Sequence, residues 1–461
     1  MSRTPPITPP GVKLNPPTTI TEERTYKIIT PLFGGGVEPG TADPISLVRG
    51  SEVRGQLRFW WRATRGGQCS DLTALRNAEE AIWGGPARTH HGTSIGGQSK
   101  VVVAVEVQND GRELRSVRAQ GNGNQQVHLA HPRSLISYAT FPLRQSEGSL
   151  RIGVTFRLTI SFPADQESDV QSALWAWESF GGLGARTRRG FGAIELVGRQ
   201  RDGTTATVDG KPASADALKQ WFTAQARSHV KGQQWHGDIP HLDPCRLPTT
   251  RHSPSGFMVG DGATNFKSWI EQALKDSGFT PQEAERCSPA LVAWYYPIYK
   301  LQQFRQRRRN NARGRPFGRS YWPEPDEIRR RTPGNYGPHG TPYTYARKFP
   351  RAIFGLPIVF QFKDDFDPSD TTLQGLDHDR LSSRLILRPI ACADGTYVAA
   401  ATLLAGPALP PGGLQLKGAR TPTPIDHTLT TSEATNPPFS QPLPLDASGN
   451  VDVIQAYLNT L

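Results

Sequence analysis

The chain has 461 residues, only 36% of them hydrophobic, and its 46 glycines and 40 prolines exclude an all-helical bundle built from long uninterrupted helices. Its four cysteines stand far apart without a C-x-x-C pair, and no apolar run nears the ~18 residues that span a bilayer; zinc ribbons, disulfide frameworks, secretion and membrane insertion are disfavoured, and a reduced cytoplasmic setting is expected. The 53 basic residues exceed the 41 acidic ones by 12, and 41 of them are arginines, whose guanidinium forks onto phosphate and stacks on bases, so the charge points to a nucleic-acid partner.

Residues 1–20 carry six prolines and few apolar side chains and read as a flexible tail. Arg24 to Thr30 is a short β-branched run, followed by a loop, Pro31 to Gly36, that ends in three glycines. Ser51 is the expected N-cap of a helix through Arg65, and a second helix from Asp71 to Trp83 stops at Gly84-Gly85. The valines of Lys100 to Val107 predict a strand, paired as a hairpin with Leu150 to Phe162 across a Gly/Asn-rich insertion. Val170, Ala173, Leu174 and Trp177 fall on one helical face that ends at Gly181-Gly182, and Ala193 to Arg199 reads as a strand. The resulting β-α-β-β-α-β order is that of the ferredoxin-like split βαβ, which underlies RNA-recognition modules but hosts many other functions.

The expected architecture is therefore α+β. A first domain covers 21–210, a connector with a helix 211–244, and a second α+β domain 245–405, with helices from Ala263 to Ser277 and Pro289 to Gln306 and strand-like runs from Ala352 to Lys363 and Leu385 to Leu404. Residues 406–461 read as a Pro-rich arm with a terminal helix from Val451.

Three constellations carry chemistry. On the helix after Ser51, Arg54, Arg58, Arg62 and Arg65 project within about 80° of one another, beside an apolar face of Val53, Leu57, Trp60 and Trp61. A solvated helix face has the same pattern, but the lack of any acidic residue between Arg54 and Arg65 favours a phosphate track. The loop Gly181 to Gly192 holds five glycines together with Arg186, Arg188 and Arg189, so bare amides and guanidinia are expected to cradle an anion. From Lys300 to Arg351 a net charge of +11, including Arg305, Arg307, Arg308, Arg309, Arg313 and Arg315, is interleaved with Phe304, Phe317, Tyr321, Trp322, Tyr336, Tyr343, Tyr345 and Phe349, the mixture that stacks single-stranded bases beside a tracked backbone. Catalytic groupings are thin. His90-His91 have no partner at a telling spacing, His378 between Asp377 and Asp379 is a poor ligand set, and no phosphate-binding Walker loop or nucleophile elbow occurs, so no catalytic residue, metal, cofactor or small-molecule substrate is expected.

The run Thr30 to Gly36, Arg49-Gly50, the helix Arg54-Gly55-Gln56-Leu57-Arg58-Phe59-Trp60-Trp61-Arg62 and the loop Gly181 to Gly192 together resemble the RAMP superfamily of CRISPR systems, and within it the first RAMP subunit of type III-B (Cmr) effectors. Phe354 to Ile358 and Leu381 to Leu387 resemble its C-terminal part. The resemblance implies two ferredoxin-like (RRM-like) domains, with the Pro-rich termini and the insertion at 109–149 outside the pattern. It also implies a non-catalytic subunit that caps a filament of other RAMP subunits near the crRNA 3′ end. Arg49, Arg54, Arg58, Arg62, Gly182, Gly184, Arg186, Arg188 and Arg189 would then contact crRNA or target RNA backbone, since sequence reading in such effectors is left to guide pairing. The rival readings are a RAMP endoribonuclease using His90 or His91, and a structural adaptor whose arginines meet only protein.

Overall fold

The computed structural model of the chain describes residues 19–35, 46–90, 93–114, 117–118, 126–127, 137–140, 150–208, 210–237, 239–246, 248–252, 257–259, 264–308, 320–332, 346–362, 368–418, 425–435, 445 and 449–461. The first half follows the expected order: β1 (Thr19–Ile28), α1 (Gly50–Arg65), α2 (Leu72–Trp83), β2 (Val102–Asn109), β3 (Thr155–Pro163), α3 (Glu167–Phe180) and β4 (Ile194–Arg201). The sheet runs β4-β1-β3-β2 with every pair antiparallel, and a two-residue strand, Thr204–Thr205, extends it beyond β4. Alternation along β1 and β3 turns Tyr26, Ile28, Phe156, Leu158 and Ile160 onto the face covered by α1 and α3, where Val53, Leu57, Trp60, Val170, Leu174 and Trp177 are buried.

β1 begins five residues before the expected start. The charged run Glu22-Glu23-Arg24 hides its first half, because Glu22 and Arg24 occupy core-facing positions. Arg24 donates to Glu22, to Glu178 at 2.8 Å and to Gln171 at 2.7 Å, and Arg199 donates to Glu22 at 2.8 Å, so the buried charges are paired across three elements. Helix α1 starts at Gly50 rather than behind a Ser51 cap, and its N-cap, Arg49, makes no side-chain cap bond. Asp71 does cap α2, accepting the Ala74 amide at 2.8 Å.

The second half contains α4 (Leu218–His229), β5 (Thr249–His252), α5 (Phe266–Asp276), α6 (Pro281–Arg305), β6 (Leu385–Ala391) and β7 (Tyr397–Leu403). Its sheet runs β5-β7-β6, all antiparallel. Helix α6 begins eight residues before the expected Pro289: Thr280 and Glu283 form a reciprocal capping box, and both Pro289 and Pro297 lie inside the helix. Ser288 Oγ donates to the Glu285 carbonyl at 3.0 Å, the acceptor that Pro289 has no N–H to satisfy. Ala352 to Lys363 divides into a 3-10 turn, Pro350–Phe354, and a short strand, Ile358–Phe360.

The two halves share a core. Strand β6 is buried along its whole length, as expected where both faces are covered, and Ile386, Ile390, Val398 and Ala400 join the cluster that holds β1, β3, α1 and α3. Arg388, on β6, is buried and donates to the carbonyls of Gly181 at 2.6 Å and Ile194 at 2.9 Å; burial lowers its pKa to about 9, with Glu178 opposing the shift. The C-terminal end is not simply an extended arm. Leu414–Lys417 pairs with the strand Thr371–Gly375, and the helix Val453–Leu458 buries Tyr457, whose hydroxyl donates to the Pro297 carbonyl at 2.8 Å. Among the described residues no helix is long and apolar enough to cross a membrane.

Candidate nucleic-acid interface

The glycine loop follows α3 and lies against the first turn of α1. Its glycines answer steric demands: a Cβ on Gly184 would stand 2.5 Å from the Phe33 carbonyl oxygen, and one on Gly192, which has φ +61°, would stand 2.0 Å from that of Leu183. The loop's amides do not form the expected open anion nest. Leu183 N–H donates to Gly192 O at 3.0 Å, Ala185 N–H to Phe33 O at 2.6 Å, Gly190 N–H to Thr187 O at 2.9 Å and Gly192 N–H to Pro31 O at 2.9 Å. The Gly184 N–H is taken by Glu52 of α1, and the buried Gly182 offers its carbonyl to Trp177 at 3.3 Å. Gly182 and Gly184 therefore shape the turn. Burial pushes the Glu52 carboxyl up, against the opposing pull of the Gly184 N–H and Arg49.

The three loop arginines divide. Arg189 is 6% exposed and donates to the carbonyls of Leu385 at 2.9 Å and Phe354 at 3.1 Å, so it rivets the loop to the second half instead of facing a ligand. Arg186 and Arg188 instead line a cavity of about 380 Å³ between the loop and α1, together with Gly55, Phe59, Trp60 and Phe180. Arg186 is held at φ +61°, a left-handed conformation unfavourable for a side chain with a Cβ. The Arg188 guanidinium lies 4.9 Å from the Phe59 ring centroid. Burial, and then the neighbouring charge of Arg189, lowers its pKa to about 10, which still leaves it cationic at neutral pH. Gly55 has nothing within 4 Å of where a Cβ would stand, so the middle of α1 leaves the cavity open. Arg186 Nε, Arg188 Nη1 and Trp60 Nε1 are buried without a hydrogen-bond partner. All three are donors, and such a set is completed by an acceptor-rich group such as a phosphodiester.

The arginine stripe on α1 is not free of acidic neighbours, because one arrives from α2. Glu79 is 7% exposed and accepts from both Arg58 and Arg62 at 2.6 Å, while Arg65 is buried and bonds to the Ser168 carbonyl at 2.7 Å. Arg49 donates to the Gly35 carbonyl, and Arg54 is half-buried with an unpartnered Nε. The stripe thus splits into arginines held by protein acceptors and Arg54, on the same helix as the cavity wall.

The basic segment is also more structural than its composition implies. Arg305 is buried, with its guanidinium 4.6 Å from the Tyr138 ring centroid. Arg329 pairs with Asp326 at 3.0 Å, Arg330 and Arg331 with Glu327 at 2.5 and 2.6 Å, and Arg351 with Glu324 at 3.1 Å, all onto buried carboxylates. Trp322 and Phe349 belong to the core and are not a stacking platform. Arg307 and Arg308 are exposed, with Arg307 4.3 Å from the Tyr321 ring centroid. Arg309, Arg313 and Arg315 lie outside the described residues, as do His91, Phe317, Tyr336, Tyr343 and Tyr345. His90 ends the strand Gly85–His90.

Over residues 25–195 the sequence matches the profile of the RAMP superfamily. These residues carry a RAMP-superfamily domain. The matched residues include the glycine loop, the cavity wall of α1, strands β2 and β3, and parts of β1 and β4. The chain resembles Cmr1 of type III-B Cmr complexes: it is 25% identical over 184 residues to the CRISPR system Cmr subunit Cmr1-2 of Pyrococcus furiosus, covering 36% of this chain and 90% of that protein. Among solved structures, the apo Cmr1 crystal structure from Pyrococcus furiosus shares 14% identity with a TM-score of 0.39, over 85% of this chain and 89% of that one. A chain of the type III-B Cmr-beta assembly bound to cognate target RNA shares 12% identity with a TM-score of 0.42, over 88% and 96%.

Reading the sequence alone missed Phe59 and Trp60 as cavity walls, Glu79 as the acid that occupies the stripe, and Arg388 as the interior anchor. A signal for the first two was present: a glycine in the middle of an otherwise favourable helix, four and five residues before two aromatics.

Proposed function

We propose that this protein is a non-catalytic, RNA-binding, Cmr1-like subunit of a type III-B CRISPR ribonucleoprotein in the cytoplasm. In this reading it caps a filament of RAMP subunits near the crRNA 3′ end and holds the backbone of crRNA or target RNA. The observation that carries the reading is the cavity between α1 and the RAMP domain's glycine loop, lined by Arg186, Arg188 and Trp60 beside Phe59, the first three of which each carry a buried donor without a hydrogen-bond partner. Donors without acceptors suit a phosphate and are indifferent to base identity, as guide-directed pairing requires. The described residues that line this cavity are cationic, aromatic, small or neutral polar, a set that suits holding a backbone. The second half, with its β5-β7-β6 order, we read as a ferredoxin-like unit with three of its four strands among the described residues.

Ultraviolet crosslinking of RNA inside the purified effector complex, mapped to peptides, tests the proposal. Adducts are expected on peptides spanning Phe59 and Arg186 to Arg188, and they should disappear in Arg186→Ala/Arg188→Ala. Crosslinks confined to other faces would overturn it. RNA cleavage by the purified chain without metal, abolished in His90→Ala or His91→Ala, would establish the endoribonuclease reading in its place.

A further inference from the structure

Tyr138, on the helical turn Ser137–Thr140, meets the interior arginines Arg189 and Arg305. Arg305 Nη1 donates to its hydroxyl oxygen at 2.5 Å and Arg189 Nη2 lies at 3.4 Å, while the Tyr138 amide donates to Gln302 Oε1 at 3.0 Å. The ring is partly exposed, but the hydroxyl sits against two guanidiniums that are each 6% exposed. Arg351 adds a third cation, donating to the Arg305 carbonyl at 3.0 Å, and Arg186 acts on the hydroxyl from the loop. Against these stands the buried carboxylate of Glu324, already paired with Arg351. Tyr457 faces Arg189 from the terminal helix, and burial keeps its hydroxyl neutral by pushing its pKa well up. Among the described residues these guanidiniums outnumber the single carboxylate, and a buried positive set of this kind is stabilised by a further anion.

We propose that Tyr138 is a positioning residue that supplies a counter-charge to this arginine cluster and thereby clamps the helical turn Ser137–Thr140 to the glycine loop through Arg189. Burial alone pushes the Tyr138 hydroxyl up, but Arg305, then Arg189 and Arg186, outweigh it and bring the group down to about 7. The phenol proton is released to solvent, and the phenolate oxygen accepts from both guanidiniums. Because Arg186 also lines the cavity, the phenolate offsets part of the positive field there. A phosphate in the cavity and the phenolate compete for the same charge. This last step alone rests on the reading of the cavity as an RNA site.

The test uses the full chain. In the wild-type protein, one of the 11 tyrosines should give a phenolate absorbance band with a midpoint near pH 7, absent in Tyr138→Phe. No ionisation below pH 9 in the wild type, or the same band in Tyr138→Phe, would overturn the proposal without need of a well-folded variant. In a second arm, RNA affinity should fall about threefold more from pH 6 to 8 in the wild type than in Tyr138→Phe. If neither protein binds RNA while the band is present, the proposed function fails and the role of Tyr138 stands. If both bind with the same pH dependence, the coupling to the cavity is refuted.

Discussion

Neighbouring loop arginines should respond to the same substitution in opposite ways. Arg189→Met keeps the aliphatic stem but removes the donor to the carbonyls of Leu385 and Phe354, which lie in the shared interior. Each buried acceptor left without a partner costs about 1 to 3 kcal/mol, and relief from burying a guanidinium returns part of that, so a net loss of about 3 kcal/mol is expected. At roughly 2 to 4 °C per kcal/mol for domains of this size, the melting temperature should drop by about 6 to 12 °C. Arg188→Met removes a side chain that stacks on Phe59 and carries an unpartnered Nη1, so stability should change by less than about 1 kcal/mol. RNA affinity should nevertheless fall, and the slope of log affinity against log salt should flatten by about 0.7 to 0.9, the signature of one lost phosphate contact. Circular-dichroism melts and filter binding at several salt concentrations on both variants check the pair. Equal melting temperatures, or an Arg188→Met protein with unchanged salt slope, would refute the division of the loop into one structural and one ligand-facing arginine.

Replacing Glu79 with Gln releases Arg58 and Arg62 from a shared carboxylate, so RNA binding should strengthen and its salt slope should steepen by up to about 1.5 units; an unchanged slope would assign both arginines to helix packing. Gly192→Ala should lower stability by about 2 to 4 kcal/mol, read by chemical denaturation, because φ +61° and the Leu183 carbonyl leave no place for a methyl group. His229 stacks on Trp175, and burial, then Arg65 and Lys231, lower its pKa to about 4. A folded-state pKa below the unfolded value means stability is intact above about pH 6.5 and is lost as pH falls toward 4. His229→Gln should therefore flatten the acid-unfolding profile across that window, and an unaltered profile would show that other groups govern it.

Much of the first half was legible because its signals are local. The apolar stripe of α1, the Asp71 cap, the valines of β2 and the turn glycines each act within a few residues of chain, and together they yield the order and approximate limits of the elements. The resemblance to RAMP proteins likewise rests on contiguous runs, Thr30 to Gly36 and Gly181 to Gly192, whose spacing survives in the linear sequence. What each charge does was not legible there. Arg188 and Arg189 are adjacent and chemically identical, yet one faces a cavity while the other is taken by carbonyls 165 and 196 residues away. Glu79 enters the α1 stripe from the next helix, and Glu22 with Arg24 passes as a surface pair until Glu178, Gln171 and Arg199 close around it. Composition therefore set the sign and abundance of charge, and periodicity set the elements that carry it. Only the packed chain decided which guanidiniums are neutralised, because a long charged side chain finds its partner through space and the cost of burying it unpaired selects partners from every element within reach.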